Sequence, residues 1–253
     1  MPLRRILPLC FAASALMAGP EKGAGPKLRP GEALVVADPD GKITVQGEAA
    51  VEHPVGALAE IIWLKVAGAE WAGYDVYYVC SDPACQPPKG HGRVDMKKAL
   101  HDGCDAAFLY WANFVREDWI RVDGDGVTRM NLKSAFGPFL GDRFKDEGPV
   151  PQFDAPWIGR GELLRASPSG FMAWYMDAQN SDVRTRIREL LGGFFHGIFD
   201  RKTWWFKAAP SSAGTWVLGS DGKSAALLYL PTPETNSTAM ERLRTLLGLP
   251  GKK

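Results

Sequence analysis

An apolar run at Ala33-Leu-Val-Val-Ala37, a turn at Asp38-Pro-Asp-Gly41 and an alternating stretch at Lys42-Ile-Thr-Val-Gln46 predict a β-hairpin. Leu58, Ile61, Ile62 and Leu64 recur at helical spacing, so a helix is expected from about Ala57 to Ala67. Tyr74 to Cys80 is β-branched and aromatic, as a strand requires, and residues 81–92 read as loop. Asp95 can cap a helix through Leu100, and a second helical run follows from Asp105 to Phe114. Turn signals fill 117–160, with a weak helix around Asn131 to Phe136. Ser167-Pro168 suits the start of a helix to Gln179, and Val183, Ile187, Leu190 and Leu191 share one face of another from Asp182 to Phe195. Strands are predicted at 203–209, 214–219 and 224–230, with a turn at Ser220-Asp-Gly-Lys223, before a last helix, 238–247, capped by Ser237. A hairpin, then helices, then an antiparallel run and a final helix predict an α+β fold, an antiparallel sheet flanked by helices.

The first residues change the picture of where the chain resides. Met1-Pro-Leu-Arg-Arg5 is followed by an apolar run from Ile6 to Ala18 with small residues near its end, which reads as a secretory signal over 1–18. Residues 19–31, rich in Gly, Pro and Lys, read as a linker, which leaves 32–248 as the domain. No later segment is apolar enough to span a membrane once the signal is removed, so an exported protein of the periplasm or cell envelope is expected. The 253 residues, 45% hydrophobic, suffice for a substantial core. A net charge of +1 gives no electrostatic footprint for nucleic acid. Cys80 and Cys85 flank Ser-Asp-Pro-Ala, where a small disulfide is open; His91 alone does not complete a metal site with them, and neither metal nor cofactor is expected.

Four segments carry more specific information. Val55-Gly-Ala-Leu-Ala-Glu60 leads into the first helix; Gly90-His-Gly-Arg-Val-Asp-Met-Lys-Lys-Ala-Leu-His-Asp-Gly-Cys-Asp-Ala-Ala-Phe108 spans the loop and the second. Gly159-Arg-Gly-Glu-Leu-Leu-Arg-Ala-Ser-Pro168 precedes the helix at 168, and Gly214-Thr-Trp-Val-Leu-Gly219 forms a late strand. In this order they resemble the transpeptidase domain of penicillin-binding proteins and the related serine β-lactamases, class D especially. The likeness covers roughly 33–247.

That resemblance implies an acylating Ser-x-x-Lys, in which a lysine one helical turn from the serine accepts its proton. Here the two positions read Ala57 and Glu60. The second motif's serine and asparagine read Gly103 and Asp105. The third motif, Lys-Thr-Gly on an edge strand, has two placements, Lys207-Ala208-Ala209 or Lys202-Thr203-Trp204, and the deeper position of Lys207 in its predicted strand favours the first. Cys104 reads as core packing, and Arg160 and Arg165 as solvated surface charges.

With neither nucleophile nor base, serine acyl transfer is not expected. The expected role is a non-catalytic pseudoenzyme that holds a peptidoglycan stem peptide or docks on a cell-wall synthase. Glu60, Asp105, Lys207, Trp204 and Trp216 are the candidate ligand-binding residues, the tryptophans because they fall on the strands expected to border the cleft. Three arrangements of the carboxylates stay open: a Glu60–Lys207 salt bridge filling the old site, an acidic pocket for an amine or cation, and acid–base hydrolysis by Glu60 and Asp105 as a carboxylate pair. A bare structural module with a filled cleft is the third class.

Overall fold

The computed structural model describes residues 27–67, 77–81, 90–145, 147–191, 197–199 and 202–249. The signal expected over 1–18, most of the linker, Cys85 and the first half of the strand expected from Tyr74 lie outside the described residues. In chain order the elements are β1 Ala33–Ala37, β2 Ile43–Gly47, β3 His53–Pro54, α1 Ala59–Ala67, β4 Tyr78–Cys80, β5 Gly92–Val94, α2 Met96–Asp102 and α3 Asp105–Leu140. They continue with β6 Arg165–Ala166, α4 Pro168–Met176, α5 Ser181–Leu191, β7 Gly197–Phe199, β8 Lys202–Ser211, β9 Gly214–Ser220, β10 Ala225–Leu230 and α6 Asn236–Leu246.

The main sheet is antiparallel throughout, in the order β2-β1-β10-β9-β8-β7. Side chains alternate across its plane, and both faces are covered, which is why β9 and β10 are buried at every position. One face sends Val35, Trp205, Trp216, Leu218, Leu227 and Tyr229 into a core shared with α1, α3, α4 and α5. The other sends Leu34, Trp204, Phe206, Val217 and Leu228 against Ala239 and Leu243 of α6. The result is an α+β sandwich, an antiparallel sheet between a helical layer and a single helix.

Caps written into the sequence form as their chemistry demands. Asp95 accepts the backbone N–H of Lys98 at the start of α2, and Ser167 accepts that of Gly170 at the start of α4. Two expectations are corrected. The cap of α6 is Thr235, which accepts the N–H of Thr238, so the helix begins ahead of Ser237. The stretch expected to hold two short helices is helical from Asp105 to Leu140, interrupted only at Gly124 (φ 76°, ψ 171°). The turn residues Asp123-Gly-Asp-Gly126 are absorbed at that break. Phe108, Trp111, Ala112, Val115 and Trp119 before it, and Leu132, Ala135, Phe136 and Phe139 after it, keep an apolar stripe at 3–4-residue spacing.

Candidate functional site

A cleft of about 740 Å³ lies where the start of α1, the α2–α3 junction, β8 and the start of α6 converge. Ala57, Gly103, Asp105, Arg160, Lys207 and Ala208 are among its lining residues. Positions that are distant in sequence are therefore brought to one place, with Glu60 directly beneath.

Lys207 shares a sheet face with Trp205 and Ala209, so its side chain leaves β8 toward the helical layer. Its Nζ donates to Glu60 Oε2 at 2.6 Å and to the Leu100 carbonyl at 2.8 Å. The pair is sealed, with Lys207 5% exposed and Glu60 0%. Burial pushes the Glu60 carboxyl up to about 7, against the pull of Lys207 and with a further push from Asp105. The other oxygen, Oε1, has no hydrogen-bond partner among the described residues. Lys202 and Thr203 instead fall at the far end of β8, opposite Phe199 and Ile198 of β7.

Gly103 ends α2 in the left-handed conformation (φ 67°, ψ 51°), which glycine adopts without strain. A Cβ there would stand 3.9 Å from Glu60 Oε1, so a side chain at 103 would face position 60. Asp105 opens α3, where the helix dipole favours its charge. Its Oδ2 accepts from Arg160 Nε at 2.5 Å across the mouth of the cleft. Arg160 is thus a cleft residue and not the free surface charge expected from sequence; its place beside the Gly159-x-Gly161 turn was the available hint. His101 Nδ1 and Asp102 Oδ1 meet at 2.5 Å on the same rim.

The wall between the turn after residue 158 and the backbone ahead of α1 is backbone on backbone. Gly159 has φ 92°, and a Cβ on it would lie 1.8 Å from the Gly56 carbonyl oxygen. Pro210, which lines the cleft near Ala57, has no N–H to offer a developing oxyanion.

Neither tryptophan proposed for the cleft reaches it. Trp216 is fully buried, donates from Nε1 to the Pro54 carbonyl at 2.8 Å, and packs against Tyr229. Trp204 stacks with Phe206 on the opposite face of the sheet, under α6. Strand parity decides both outcomes, and the register needed to apply it is not readable from one strand alone. In their place α6 contributes Asn236, Ser237 and Met240, preceded by Glu234 and the cap residue Thr235. Nothing in the sequence of α6 signals a cleft, because its part in the lining depends on the helix packing back over β8.

The same arrangement of sheet and helices occurs in solved structures at low identity. Penicillin-binding protein PBP2 of Pseudomonas aeruginosa, in complex with WCK 5153, superposes with a TM-score of 0.58 at 12% identity, over 85% of this chain and 72% of that one. BPu1 β-lactamase gives 0.59 at 13%, over 88% and 95%. A class D β-lactamase of Bacillus subtilis gives 0.57 at 10%, over 87% and 93%. The chain has the penicillin-binding protein and serine β-lactamase fold. No protein-family model and no curated protein matches it. Within this fold, Ala57, Gly103, Asp105 and Lys207 line one cleft, and Glu60 is held against Lys207.

Proposed function

We propose that this chain is a non-acylating protein of the cell envelope whose cleft binds a peptidoglycan stem peptide without cleaving it. The carrying observation is the buried Lys207–Glu60 pair beneath an open cleft. A cationic anchor that would otherwise hold an anionic donor is neutralised from below, while the space above it remains. Residue 57 supplies no nucleophile. Of the hydroxyls that line the cleft, Thr235 is committed to capping α6 and lies 3.2 Å from Ser237 Oγ. Acyl-enzyme chemistry needs an attacking group that the cleft's electrostatics cannot replace.

The rim carries both signs of charge, with Asp102, Asp105 and Glu234 beside Arg160. A stem peptide carries both amines and carboxylates, and so suits it. Hydrolysis by Glu60 and Asp105 is less well supported. Glu60 has no exposed surface, and Asp105 is held by Arg160.

Titration of the isotope-labelled chain with a stem pentapeptide tests this reading, by following the amides of Ala57, Gly103, Arg160 and Ala208. Saturable shifts at these positions are expected, together with an unchanged intact mass after incubation with a reactive penicillin. A penicillin adduct would overturn the non-acylating assignment, and flat amide shifts would overturn the peptide.

A further inference from the structure

Behind the cleft, outside the residues used above, three side chains of metal-binding type converge. Cys80 ends β4, His91 immediately precedes β5, and Cys104 is the residue before α3. One ligand atom from each lies within 4.8 Å of the other two. Cys80 and Cys104 are buried. His91 is half-buried, yet its Nδ1 is sealed from solvent with no hydrogen-bond partner among the described residues. The backbone around this histidine is fixed, since Lys98 Nζ donates to its carbonyl at 2.6 Å.

We propose that Cys80, His91 and Cys104 hold a zinc ion. Two thiols and an imidazole are a donor set for a borderline-soft divalent cation, and they suit neither calcium nor magnesium. In a tetrahedral zinc site, with Zn–S of about 2.3 Å and Zn–N of about 2.0 Å, ligand atoms stand roughly 3.5–3.8 Å apart. The observed cluster needs a contraction of only about 1 Å to reach that geometry. Both cysteines bind as thiolates, so each zinc displaces two thiol protons into solvent and leaves the site close to electrically neutral. The thiolate of Cys104 also sits at the N-terminus of a long helix, where negative charge is favoured. A fourth ligand, water or another donor, completes the coordination.

The site would do structural work for the cleft. Cys104 lies between Gly103 and Asp105, both of which line the rim. Zinc would therefore tie the β4–β5 hairpin to the α2–α3 junction and fix the rim against the sheet.

Cobalt(II) titration of the full-length reduced chain is the test. One equivalent should bind, with thiolate-to-cobalt charge-transfer absorption and the visible bands of a tetrahedral ion, and zinc should displace it. Two protons should be released per metal. Cys80→Ser and Cys104→Ser should each remove roughly half of the charge-transfer intensity and weaken binding by about 100-fold or more. An octahedral spectrum without thiolate absorption would overturn the site. So would failure of the reduced chain to bind cobalt, or a spectrum unchanged in both serine variants. The wild-type spectrum and proton count decide the matter even if a variant does not fold. A native chain isolated with Cys80 already in a disulfide, to Cys85 or Cys104, would overturn it as well.

Discussion

Glu60 and Glu32 are buried carboxylates, each held by a basic side chain, and their responses to pH run in opposite directions. Burial raises Glu60 from 4.5 to about 7, against the attraction of Lys207. A folded value above the unfolded one means that the fold prefers the protonated group. That contribution to stability is full below about 4.5 and is lost as pH rises through about 7. Burial also pushes Glu32 upward, but hydrogen bonds from Arg242 and from the Arg29 backbone, with the charges of both arginines, bring it below 4.5. Its contribution is present above the unfolded value and is lost as pH falls through the folded one. Glu60→Gln should therefore flatten the stability profile between pH 4.5 and 7, removing a decline on the order of 3 kcal/mol. Urea melts across that range check it, and a decline that persists in the variant would refute the assignment. The motif positions themselves could be read from sequence, because each stands at a fixed offset from a recognisable segment. The Glu60–Lys207 pair was one of the arrangements the sequence left open, with Lys207 favoured over Lys202 by its depth in the strand. That Arg160 meets Asp105 was not legible, because it depends on a loop path set by contacts far along the chain.

At the level of elements, the cleft depends on how closely its walls approach. Gly159 sits where the turn after residue 158 presses on the backbone ahead of α1, with φ 92° and no room for a Cβ beside the Gly56 carbonyl. Gly159→Ala combines a strained conformation with a clash against backbone, and should cost at least about 2 kcal/mol. Thermal melts measure this, and a variant as stable as wild type would show that the wall is looser than described. Helix starts with a polar cap were legible here, as Asp95 and Ser167 illustrate. The extent of α3 was not. Asp and Gly at 123–126 look like the end of a helix, and only the apolar stripe resuming at Leu132 shows that the chain carries on along the same core.

Across the whole molecule, the sheet is an inner layer whose two faces have separate cores. Leu34, Trp204, Phe206, Val217 and Leu228 are buried largely because α6 covers them, and Arg242 of that helix also binds Glu32 at the start of β1. Ending the chain before residue 236 should expose this apolar face. Expected outcomes are binding of a hydrophobic dye and self-association on sizing, and a monomeric, dye-silent product would contradict the layered description. The α+β class and the presence of a sheet could be inferred from sequence, since the alternation of turns, strands and helices is local. Which tryptophan serves which core could not. The Lys207–Glu60 pair has one further consequence, for how this sequence can change. A lysine placed at position 60 on its own would set two ammonium groups face to face at a largely buried spot and remove the carboxylate that now neutralises Lys207. Position 60 thus decides whether 207 presents a charge to the cleft, so installing a serine–lysine couple at 57 and 60 would at the same stroke release 207 from its present charge partner.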